Sequence, residues 1–198
     1  VSKTFSSDYV RAAADAGQLD FGENKVQEGL AKIAQTSDLP LRWHLVGHLQ
    51  SNKARTAVAF QAIDSIDASA LLLKIEQAAQ QAGRSVEVLI QVDLANEPTK
   101  YGMQPRDLRA ALDVADACKA ARLKGLMLLP PAFADPEGAR PYFSKLRTLR
   151  DDLLREGRDP STLAELSMGM SHDFEIAVEE GATMVRVGSA IFGPRTYS

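Results

Sequence analysis

ELSMGMSHDFEIAVEEGATMVRVGSAIFG, residues 165–193, reads as a strand, a turn, a helix, a second strand and a second turn. Two apolar runs, 165–169 and 184–189, each end in small polar or glycine residues. Ser167, Gly169 and Ser171 stand at the first turn, Gly188 and Ser189 at the second. Turns of this kind present backbone N–H groups and hydroxyls at one end of a sheet, where a phosphate can be held. The helix between them carries its own boundaries: Ser171 with Asp173 can cap it before Phe174, and Gly181 ends it.

Outward from this unit the alternation continues along the whole chain. Strands are expected over 1–3, 19–22, 42–47, 62–66, 87–93, 124–129, 165–168 and 184–188. Helices are expected over 7–16, 24–35, 52–59, 68–82, 105–120, 136–156 and 171–180. The run EVLIQVD at 87–93 is nearly continuously apolar at its centre, the pattern of a parallel strand covered on both faces. Strands alternating with helices leave two architectures, an α/β barrel or an open doubly wound sheet. Eight is the barrel number, so the expected fold is α/β, a single (β/α)8 TIM barrel occupying residues 1–198 as one domain. Such barrels typically take about 250 residues, and the first strand has no helix before it, which suggests a missing upstream segment.

Composition narrows the function classes. The 198 residues hold 45% hydrophobic and 25% charged residues, an ordinary globular balance. A net charge of −3 gives no electrostatic reason to expect nucleic acid or an anionic membrane as partner. No apolar run approaches the ~18 residues of a membrane span, and the opening VSKTFSSD is no signal peptide. The single cysteine, Cys118, excludes a disulfide framework and suits a reducing cytoplasm.

In a barrel the working residues lie where strands end and loops begin. Lys3 closes the first strand, where desolvation lowers an amine pKa and frees it as a nucleophile; the alternative is a surface lysine near a frayed terminus. Arg186 lies inside the apolar run MVRVG and needs a carboxylate, a phosphate or a ring nitrogen as partner, or a structural salt bridge. His44 and His48 are four apart on a strand rather than a helix, too far separated to chelate, so no metal is expected. His172 reads as part of a helix cap, while Cys118 and Trp43 read as packing residues. No G-x-G-x-x-G or G-x-x-x-x-G-K-[ST] follows a strand, which removes dinucleotides and nucleoside triphosphates. A lysine on the first strand and a phosphate cup on the last two together suggest pyridoxal 5′-phosphate, whose aldehyde takes a lysine and whose phosphate takes backbone donors.

Six separated motifs carry a family resemblance: VSK at 1–3, FGENKVQE at 21–28, WHLVGHLQSNK at 43–53, KYGM at 100–103, GLM at 125–127 and LSMGMSHDFEIAVEEGATMVRVGSAIFG at 166–193. In this order, over nearly the whole chain, they resemble the pyridoxal phosphate homeostasis proteins, which have the alanine-racemase-like barrel. The resemblance implies that Lys3 holds the cofactor as an aldimine and that Ser167, Gly188 and Ser189 take its phosphate. It places Arg186 at the pyridine nitrogen, Asn24 and Met168 around the ring, and Lys100 in cofactor handling. A guanidinium donating to the ring nitrogen keeps it unprotonated and so a poor electron sink.

Racemases of this fold use a lysine and a tyrosine as two bases, the tyrosine from a second domain. The chain ends without one, so the expectation is a homeostasis protein with little or no catalysis. The alternative is a racemase or lyase of the same fold, and a third reading is a sugar-phosphate-binding barrel. A monomer is expected, and the candidate partners extend to apo-enzymes that use pyridoxal phosphate. Two departures stand out: the family's helix before Val-Ser-Lys is absent, and TFSSD replaces a proline-bearing stretch, with Ser7 or Asp8 available as cap.

Overall fold

The computed structural model describes residues 1–96 and 101–194. Seven strands, all parallel and hydrogen-bonded in chain order, form a nearly closed barrel with helices around it. They are β1 (Asp20–Glu23), β2 (Arg42–Leu45), β3 (Ala62–Ile66), β4 (Val86–Val92), β5 (Ala121–Leu128), β6 (Glu165–Met170) and β7 (Met184–Arg186). The helices are α1 (Ser7–Asp15), α2 (Val26–Gln35), α3 (Ala54–Ala57), α4 (Ser69–Gln81), α5 (Pro105–Ala117), α6 (Arg140–Arg155), α7 (Phe174–Glu179) and α8 (Ser189–Phe192). Among the described residues no helix is long and apolar enough to cross a membrane.

Of the expected strands, the first is the one that does not form among the described residues. Residues 1–3 lie in the seam between β7 and β1, where the Ser2 amide donates to Gly22 O at 3.0 Å. A Cβ on Gly22 would stand 3.2 Å from a Val1 methyl, and one on Gly188 would stand 3.1 Å from the Val1 carbonyl. Instead of running on in extended form, the chain turns at once: Phe5 N–H donates back to Ser2 O at 3.1 Å, and Thr4 has φ 71°. Eight strands were expected and, among the described residues, seven are present, with residues 1–3 filling the eighth place as they lead into the turn Ser2–Phe5.

Alternation along each strand separates two environments. Leu166 and Met168 of β6 join the hydrophobic layer with Phe143 and Leu146 of α6 and Ala177 of α7. Ser167 points the opposite way, into the barrel, where Arg186 meets it. The continuous apolar run at β4 has the same cause, since Val88 and Ile90 lie in the helix-side layer.

Helix ends differ from the sequence reading where tertiary contacts intervene. α5 stops at Ala117 rather than 120, and Cys118 is extended. The cause is Glu76 of α4, whose carboxylate accepts from the amides of Lys119, Ala120 and Ala121 at 2.9, 2.8 and 2.6 Å. That draws the chain out of the helix and starts β5 three residues early. At α1 the N-cap is Ser6, without a side-chain hydrogen bond, so neither Ser7 nor Asp8 caps it. At α7 the Asp173 carboxylate accepts from Met170 N–H at 2.6 Å, and His172 is exposed with Nε2 3.3 Å from Ala134 O. Asp173 is the N-cap residue, but neither side chain makes a capping hydrogen bond to the helix.

Candidate functional site

Loops at the carboxyl ends of the strands surround a cavity of about 630 Å³, lined by Lys3, Asn24, Arg186, Gly188 and Ser189 among others. Five of the seven residues expected at the ligand therefore line one cavity. Lys3 is half-buried at the turn in the seam. Asn24 follows β1, and its backbone passes so close to Gly47 that a Cβ there would lie 2.2 Å from Asn24 O. Only glycine fits at 47, and that contact sets Asn24 against the cavity.

Arg186 forms the floor. It is buried, with Nη1 donating to Ser167 Oγ and Nη2 to Leu128 O, both at 2.7 Å. Burial lowers its pKa to about 10, against the opposing charges of Asp64 and Asp173, so it stays charged at neutral pH. Among the described residues no carboxylate pairs with it directly, which removes the simple structural salt bridge. Its two neutral acceptors leave the guanidinium with charge and donors to offer toward the cavity it lines.

The two turns of residues 165–193 meet as a cup. Gly169 takes φ 94°, and a Cβ there would lie 2.6 Å from Ala177 Cβ, so the chain leaves β6 by a path open to glycine. This delivers Ser171 to the second turn, where its hydroxyl oxygen accepts from Gly188 N–H at 2.9 Å and Ala190 N–H at 3.3 Å. One expected phosphate donor, the Gly188 amide, is thus grouped with the Ala190 amide, which was not expected, and a serine oxygen stands against both.

Ser167 and Met168 do not reach the cavity. Strand alternation puts Met168 on the helix side, fully buried, and Ser167 beneath Arg186, where it can act only through that residue. Lys100 lies outside the described residues. The sequence reading placed His48 at a strand end among the working positions but missed Tyr101, whose ring stacks on His48 at the cavity with centroids 3.5 Å apart and planes 8° from parallel. His48 Nδ1 also stands 3.2 Å from Asp67 Oδ2. It missed Gln91 as well, buried on β4, which donates to Tyr101 O at 2.6 Å. The signal for Gln91 was present, a polar residue at the end of an apolar strand; the stacking of His48 on Tyr101 had none.

His44 lies beside two carboxylates: Nδ1 is 3.2 Å from Asp64 Oδ1 and Nε2 is 3.6 Å from Asp20 Oδ1. Among the described residues no three His, Cys, Asp or Glu gather as metal ligands. Cys118 is half-buried, its thiol pKa raised by burial, in a packing position. A larger groove of about 810 Å³ opens at the amino end of β5, but its Arg158 is already paired with Asp113 and Asp116.

A charged floor, a half-buried lysine and grouped amide donors suit a small aromatic phosphate with a carbonyl. Comparison with known proteins points the same way. The alanine racemase N-terminal domain family matches residues 6–196. A pyridoxal phosphate homeostasis protein of Aquifex aeolicus is 42% identical over 99% of this chain and 86% of its own length. The chain belongs to the pyridoxal phosphate homeostasis protein family. PipY of Synechococcus elongatus, solved with pyridoxal phosphate bound, superposes on this family member with TM-score 0.89 and 42% identity, over 97% of this chain and 90% of PipY. An alanine racemase of Clostridium difficile gives TM-score 0.77 at 15% identity, over 96% of this chain and 49% of the racemase; that likeness is one of fold alone.

Proposed function

We propose that this protein binds pyridoxal 5′-phosphate and serves homeostasis of the cofactor in the cytoplasm, with little or no catalysis, the barrel acting as one binding domain. The observation that carries the reading is a single cavity lined by Lys3, Arg186 and Gly188. The names of its relatives and the ligand of PipY support it.

Bound pyridoxal phosphate supplies an aldehyde that condenses with an amine, releasing water, and a ring able to stabilise carbanions. Lys3 provides the amine. Gly188 and Ser189, with the Ser171 hydroxyl beside them, would hold the phosphate, and Asn24 would border the ring. Arg186, whose guanidinium donates to Ser167 Oγ and Leu128 O, would donate to the ring nitrogen and keep a proton off it. That weakens carbanion stabilisation and favours holding over turnover.

Adding pyridoxal phosphate to purified protein should produce a visible absorption band, and borohydride should fix the cofactor to the peptide containing Lys3. Lys3→Ala should lose both signals; an unchanged spectrum in that variant would sink the assignment. Turnover of an alanine or serine enantiomer, lost in Lys3→Ala, would mark a racemase or lyase instead. Phosphate binding without visible absorption would mark a sugar-phosphate barrel.

A further inference from the structure

Lys3 sits at the corner of a tight turn. Ser2 O accepts from Phe5 N–H at 3.1 Å, which makes Lys3 and Thr4 the two central residues of a four-residue turn. Thr4, at φ 71°, occupies the left-handed region that the third position of a type II turn requires and that favours glycine. A β-branched residue there is strained, and such strain persists only when surrounding contacts over-determine the backbone.

Those contacts are on Ser2. Its amide donates to Gly22 O at 3.0 Å, and its hydroxyl donates to Glu23 Oε1 at 2.7 Å. Its carbonyl, besides closing the turn, accepts from Lys32 Nζ at 2.7 Å. Lys32 Nζ also donates to Glu23 Oε1 at 2.6 Å. Glu23 is fully buried and Lys32 nearly so. All three polar groups of Ser2 are therefore held, by β1 and by α2, one residue from Lys3.

We propose that Ser2, Glu23 and Lys32 form a buried clamp that fixes the turn and so aims the Lys3 amine into the cavity, making Glu23 and Lys32 positioning residues of the cofactor site. The role in cofactor capture rests on the reading of Lys3 given above. A buried ion pair is poor value for stability alone, because desolvation offsets much of the attraction. Its use here, where a strained turn carries the reactive amine, is orientation. Lys32 also interrupts the buried face of α2, three residues after Gly29 and six after Val26, where an apolar side chain would otherwise serve.

Lys32→Met keeps the side-chain stem and removes the charge. Below its melting temperature, borohydride-trapped capture of pyridoxal phosphate at Lys3 should slow by roughly tenfold or more, since small misplacements of a reacting group carry penalties of that order. Affinity for pyridoxamine 5′-phosphate, which cannot condense with the lysine, should be unchanged, and Lys32→Arg should restore part of the capture rate. An unchanged capture rate, or an equal fall in pyridoxamine phosphate affinity, would overturn the proposal. If Lys32→Met does not fold, Glu23→Gln, which keeps an acceptor oxygen, carries the same comparison. A cofactor-free arm separates the clamp from the reading of Lys3: amine acetylation followed by mass spectrometry should show Lys3 labelling in Lys32→Met rising toward that of exposed Lys25. Equal labelling of Lys3 in the two proteins would count against the clamp even if wild-type capture fails.

Discussion

Arg186 shows what a single residue discloses. A charge in an apolar strand announces a partner, and the sequence supports that much. Which partner depends on residues at 128 and 167, brought to it from two other strands. His44 is the complementary case, legible only as a polar residue on a strand. Burial pulls its pKa down, but the hydrogen bond and charge of Asp64, with Asp20 behind, push it up further, and the net shift is upward. A histidine whose folded pKa exceeds its unfolded value stabilises fully below the unfolded value and loses that contribution as pH rises through the folded one. Urea-unfolding free energy should therefore fall as pH climbs from the ordinary histidine value near 6.5. His44→Gln should remove that part of the slope; an identical pH profile in the variant would refute the assignment.

At the scale of elements, periodicity located the helices well and their ends poorly. α5 reads as helix to 120 because alanines and a lysine continue the pattern. It ends at Ala117 because Glu76, some forty residues earlier, offers three hydrogen bonds that the helix cannot. Glu76→Ala should leave those amides unsatisfied in a largely buried place and destabilise the fold by roughly 3 kcal/mol, measurable by chemical denaturation at neutral pH. A loss near zero would mean that water replaces the carboxylate. The same limit explains α7: capping chemistry at Ser171 and Asp173 was visible, but each side chain answers a different backbone, Gly188 and Met170.

At the scale of the whole molecule, the barrel closes between its last strand and its first. Residues 1–3 occupy that seam, and the cavity takes Lys3 from it and Arg186, Gly188 and Ser189 from β7 and the turn that follows. A ligand bridging them binds only the closed barrel. At a hundredfold excess over Kd such a ligand adds about 2.7 kcal/mol. For a chain of 198 residues that should raise Tm by roughly 5–10 °C. A thermal melt with pyridoxal phosphate and a control with pyridoxal alone would check it; no shift with either would contradict a site built across the seam.

By itself the sequence determined the alternation of strands and helices, the parallel barrel, the cup at 165–193 and the pairing of that cup with Lys3. These rest on local pattern, period and motif, which a linear chain carries in full. Tertiary structure alone decided that residues 1–3 turn instead of extending, that Ser167 supports Arg186 from beneath, that Met168 faces the helices, and that Glu23 and Lys32 hold the turn at Lys3. Each of these depends on which of several nearby partners a polar group or a strand face meets, and barrel closure sets that choice.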